Sequence, residues 1–158
     1  MASGGAAMTE RPRIPALPAE VQGAFERYPV PVRERLLAVR ALIYETAMDT
    51  DGVGPLTETL KWGEPAYLTE ETGSGSTIRL GVVRDAPETA AVFVNCRTTL
   101  VDSFRSIAPD LDYRGDRALL LPAAGALPVD SLRRCLALAL AYKQVKRVAR
   151  PRRDPPKS

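Results

Sequence analysis

Four side chains able to do chemistry fall close together at Lys61, Trp62, Glu64 and Tyr67, within Leu60-Lys-Trp-Gly-Glu-Pro-Ala-Tyr-Leu68. Trp62 is the only tryptophan of the chain. A strand that only packs rarely combines a cation, a carboxylate, a phenol and an indole in this way. Together they suit recognition of a small ligand. Lys supplies charge for an anionic group, Tyr a hydroxyl, and Trp an apolar wall with one N–H donor. Read as one strand with period two, the stretch puts Leu60, Trp62, Glu64, Ala66 and Leu68 on one face and Lys61 and Tyr67 on the other. Gly63 and Pro65 predict a bulge or an edge position, which would re-aim the side chains toward one site. Arg79, Asn95, Thr98 and Arg105 are expected to assist from neighbouring elements, with an anion as the ligand.

Other chemistries fall away. The chain contains no His, which removes Ser-His-Asp and Cys-His hydrolases and every His-bearing metal motif. Cys96 and Cys135 lie far apart in sequence and read as buried free thiols. Gly73-Ser-Gly-Ser-Thr77 lacks the Lys-Ser/Thr ending of a phosphate-binding loop and leads into a strand, so it reads as a hairpin-type turn. Asp110-Leu-Asp-Tyr-Arg-Gly115 begins like a calcium loop, but Leu121 stands where a bidentate Glu is required. No nucleophile is set beside a base. The reading is a binding domain rather than an enzyme, with no cofactor expected.

Charge separates the ends from the middle. Residues 143–158 carry +6, residues 1–13 carry +1 and residues 14–142 carry −4, giving the net +3. The tail cations Lys143, Lys146, Arg147, Arg150, Arg152 and Arg153 could meet phosphates. No aromatic residue interleaves them after Tyr142, so they read as a solvating end. Nucleic acid is not the expected partner, although an interaction module with a basic tail stays as an alternative. No apolar run approaches the ~20 residues of a membrane helix. The start lacks a signal-peptide pattern, so the expected compartment is the cytoplasm, with no membrane partner and a monomeric or small homo-oligomeric state.

The elements that must position the candidate residues follow from periodicity. Residues 1–15 read as disordered, 16–147 as one domain and 148–158 as a basic, Pro-rich tail. A short helix is predicted over 18–27. A long one follows over 32–48, with Val32, Leu36, Val39, Ile43 and Ala47 on its apolar stripe and Arg33, Glu34, Arg40 and Glu45 off it. Leu56 to Thr59 is expected to add one helical turn. Strands are predicted over 60–68, 77–83, 91–96 and 117–121. A helix from Thr99 is predicted with Thr99 and Asp102 as a capping pair, and a last helix over 130–146. Short links between strands favour antiparallel pairing. The expected fold is α+β: a small, mostly antiparallel sheet of about four to five strands with helices packed on it.

Tyr28-Pro29, Pro31-Val-Arg-Glu-Arg-Leu36 and the Lys-Trp-Gly-x-Pro-x-Tyr pattern at 61–67 resemble the YdhG-like family of domains of unknown function. Gly75-Ser-Thr-Ile-Arg79 and Cys96-Arg-Thr-Thr-Leu-Val-Asp-Ser-Phe-Arg105 are similar to a bacterial branch of it. The resemblance spans roughly residues 19–147 and implies an α+β domain. It attaches no chemistry to Lys61, Trp62, Gly63, Pro65 or Tyr67. Some members are described as frataxin-like iron chaperones that work through surface carboxylates. The resemblance therefore supplies an alternative reading in which Glu45, Asp49, Asp51 and Glu58 hold iron.

Overall fold

The computed structural model of the chain describes residues 14–95 and 98–144. In chain order the elements are α1 (Ala19–Glu26), α2 (Val30–Asp49), β1 (Thr57–Lys61), β2 (Glu64–Leu68), β3 (Ile78–Val83), β4 (Ala86–Phe93), α3 (Leu100–Ile107), β5 (Asp112–Arg114), β6 (Ala118–Pro122) and α4 (Val129–Leu140). The strands form one six-stranded sheet in the order β1-β2-β3-β4-β6-β5, and every pairing is antiparallel. The α+β expectation holds, with six strands instead of four to five.

The extra strands have local causes. Leu56–Thr59 does not make a helical turn, because Thr57–Lys61 is β1 itself. Asp112–Arg114, where no strand is predicted, adds a short outer strand, and Arg114 there donates to Asp85 at 2.6 Å. β4 starts at Ala86, five residues before the strand predicted over 91–96, and only Arg84 and Asp85 separate it from β3. Thr99 makes no side-chain cap on α3; the Leu100 amide instead donates to the Thr98 hydroxyl at 3.3 Å.

Helix α2 shows the predicted stripe: Val32, Leu36, Val39, Ile43 and Ala47 are all buried. They pack with Phe25 of α1, Phe104 of α3 and Leu132 and Leu136 of α4 against one face of the sheet. That face presents Tyr67, Ile78, Leu80, Val92, Leu119 and Leu121. Full burial of each such apolar side chain contributes about 1.5–3 kcal/mol. The other face carries a smaller cluster of strand residues alone, Ala91, Phe93 and Ala118 with Val83 and Leu120.

Ile14 packs partly against the main core, and the Pro15 carbonyl accepts from Arg40 at 2.7 Å. Residues 1–13, the tail from 145, Cys96 and Arg97 lie outside the described residues, and the readings made for them lie there too. Cys135 is buried and free.

Candidate functional site

Leu60–Leu68 is a hairpin, not one strand. Lys61 pairs with Glu64, and Trp62-Gly63 forms a two-residue turn with φ of 56° and 77°. Positive φ at both central residues is the type I′ geometry that matches strand twist. Gly takes it without strain, whereas an L residue with a bulky side chain is held there at a cost of about 1–2 kcal/mol. Trp62 is the only non-glycine residue with positive φ among the described residues. Its side chain is 89% exposed, so packing does not repay the strain.

No bulge at Gly63 or Pro65 re-aims the side chains. Pro65 lies within β2, between β1 and β3. The β2–β3 ladder holds only Ala66↔Arg79 and Tyr67↔Ile78, ending before Pro65, which has no N–H to give.

The turn also corrects the face assignment. Glu58 pairs with Tyr67 and Lys61 with Glu64, so an odd-numbered residue of β1 shares its face with an even-numbered residue of β2. Lys61 and Glu64 therefore sit on one face, and Tyr67 points to the helices. The Tyr67 hydroxyl donates to Glu58 at 2.8 Å and the Tyr44 hydroxyl donates to the same carboxylate at 3.2 Å. Arg40 donates to both Glu58 oxygens, at 2.6 and 2.9 Å. Burial and the Glu58 charge push the Tyr67 hydroxyl far above its ordinary range and the Tyr44 hydroxyl to about 12. Arg40, off the apolar stripe by periodicity, is buried by this pairing. The carboxylate has all its neighbours from within the fold, so Tyr67 leaves the candidate site as a structural residue.

The remaining candidates partly converge. A cleft of about 270 Å³ is lined by Lys61, Trp62, Thr77, Arg79, Val94, Asn95 and Arg117. Thr77 immediately precedes β3, and Arg79 within it projects to the side away from Ile78 and the helices. Lys61 and Trp62 come from the hairpin, Val94 and Asn95 from the two residues after β4, and Arg117 from the residue before β6. Arg79 is ion-paired with Glu64 and lies 5.2 Å from the centre of the Phe93 ring. Partial burial raises the Glu64 pKa, and the Arg79 charge pulls it back down. A Cβ at Gly81 would come within 2.6 Å of Glu64 Oε2 and 3.2 Å of the Tyr28 hydroxyl, so a larger residue there would displace the Glu64 carboxylate. Among the described residues, no carboxylate pairs with Lys61 or Arg117.

Two expected helpers do not line the cleft. Arg105 donates to the Gly115 carbonyl at 2.8 Å and lies 5.5 Å from the Tyr113 ring centre. Thr98 supports the cleft indirectly, its hydroxyl donating to the Asn95 carbonyl at 2.6 Å. Arg117, Thr77 and Val94 were missed from sequence. Arg117 opens the apolar run Ala118-Leu-Leu-Leu121, a position that reads as a strand boundary until the β4–β6 register places it beside Val94, whose amide donates to its carbonyl at 2.9 Å. Gly73–Ser76 serves the fold. Ser74 Oγ donates to the Leu140 carbonyl at 2.8 Å and the Ser76 amide to Ala139 at 2.9 Å, satisfying the end of α4.

The four carboxylates that the resemblance offers for iron lie in different surroundings. Glu58 is taken by Arg40 and two tyrosines, Glu45 lies 3.9 Å from Arg133, and Asp49 and Asp51 are exposed. Among the described residues, no group of three His, Cys, Asp or Glu could hold a metal ion. No helix of the described residues is long and apolar enough to cross a membrane. No protein family, curated protein or solved structure matches the chain.

Proposed function

We propose that the protein binds a small anionic ligand in the cleft between the β1–β2 hairpin and the start of β3. One observation carries the reading: Lys61, Arg79 and Arg117 line a single cleft, and only Arg79 has a carboxylate partner among the described residues. Cations gathered without counter-charge repel one another, and an anion between them relieves that repulsion. Guanidinium groups also offer paired N–H donors that fit carboxylate or phosphate oxygens. Thr77 adds a hydroxyl and Asn95 an amide. The YdhG-like resemblance supports the α+β architecture and names no ligand.

Calorimetric titration with pyrophosphate tests the proposal. The wild-type chain binds it. Arg117→Ala, which alters an exposed residue, keeps the fold and weakens binding about 10- to 100-fold, the factor for a hydrogen bond between charged groups worth about 1.5–3 kcal/mol. Equal affinity in the two proteins would remove the cleft from the account.

A further inference from the structure

We infer that the ligand is a mononucleotide, its phosphate held by Arg79, Arg117 and Lys61 and its base stacked on Trp62. The inference rests on the anion-binding reading of the cleft and goes further by accounting for the indole. Trp62 occupies a turn position that favours Asn, Asp or Gly, and its side chain lies 89% in solvent. The fold gains little from an aromatic residue there. The same side chain borders the cleft that holds the cations. An exposed indole face beside a guanidinium cluster matches a planar base joined to a phosphate. Aromatic stacking accepts every base, and arginine pairs with phosphate oxygens through two parallel bonds.

The size and surroundings favour one nucleotide over a strand. At about 270 Å³ the cleft falls just under the ~300–1,000 Å³ of sites for drug-sized ligands. A single strand needs successive aromatic platforms along a basic groove. Among the described residues, Trp62 is the one aromatic residue of the large exposed apolar side chains, and Phe93 lies buried.

The experiment uses the full chain and the emission of its only tryptophan. Adenosine 5′-monophosphate, inorganic phosphate, adenosine and a short single-stranded oligoadenylate are titrated, with calorimetry in parallel. The mononucleotide is expected to quench Trp62 emission and to bind at least tenfold tighter than phosphate or adenosine. Trp62→Leu should lower the ratio of mononucleotide to phosphate affinity at least tenfold. If phosphate binds through Arg117 but the mononucleotide binds no tighter and quenches nothing, the nucleotide inference fails and the anion site stands. If the oligoadenylate binds tighter per site than the mononucleotide, the single-nucleotide assignment is overturned. If neither phosphate nor the mononucleotide binds, both readings fall.

Discussion

Replacing Trp62 with asparagine should leave the fold as stable as before or slightly more so. Only about a tenth of the indole side chain is covered. Of its ~150–250 Å² this is about 20 Å², worth roughly 0.5 kcal/mol at ~25 cal/mol per Å². Against that loss stands the release of an L residue from φ of 56°. Asn tolerates the left-handed region and is favoured before Gly in a type I′ turn, so it recovers about 1 kcal/mol of the ~1–2 kcal/mol strain. The net change is about 0 to +1 kcal/mol, a rise in Tm of up to about 4 °C for a chain of this size. Thermal unfolding followed by circular dichroism, with urea unfolding as a second measure, reads the change directly. Truncating a core indole would instead lose about 3–5 kcal/mol. A fall in Tm of more than about 4 °C would refute the hairpin-tip placement and return Trp62 to the core.

Three further outcomes follow from the same geometry. Glu58→Ala should destabilise by about 3–5 kcal/mol in urea unfolding, because it strands the buried Arg40 charge and two tyrosine hydroxyls; a loss under about 1 kcal/mol would show that the network does not stabilise the fold. Tyr44 and Tyr67 titrate above their unfolded value of 10.0 in the folded chain, so the stability they contribute is full below pH 10 and is lost as pH rises beyond it; Tyr67→Phe should shrink that alkaline loss, and an unchanged slope above pH 10 would contradict the assignment. Glu64 competes with an anion for Arg79, so Glu64→Gln should tighten sulfate binding at neutral pH. In the wild type sulfate binding should tighten as pH falls toward 4.5 and Glu64 neutralises, and in the variant this dependence should flatten.

The long helix and the class of fold were legible because they rest on repeated, redundant signals. Five residues at helical spacing define the buried face of α2, and no single substitution hides that pattern. The hairpin was not legible for a specific reason. Asn-Gly or Asp-Gly between apolar runs announces a type I′ turn, whereas Trp-Gly reads as the continuation of a strand. Missing that turn reversed the face of Tyr67 relative to Lys61. Arg40 falls off the apolar stripe and its burial gave no signal, because its partner, Glu58, lies on a different element and long-range pairing leaves no periodic trace. Lys61, Trp62, Arg79 and Asn95, singled out by residue type, line the cleft. Arg117 and Thr77 needed the sheet register, because only the β3–β4–β6 pairing brings them beside the hairpin.

The central claim is that the cleft, and not the basic tail, receives the anion. Backbone amide shifts recorded by NMR during titration with pyrophosphate test it residue by residue. The account predicts saturable shifts concentrated at Lys61, Trp62, Thr77, Arg79, Asn95 and Arg117, with Asp49, Asp51 and the segment from Lys143 onward unchanged. Shifts confined to that C-terminal segment, or no saturable shift at the cleft residues, would contradict it.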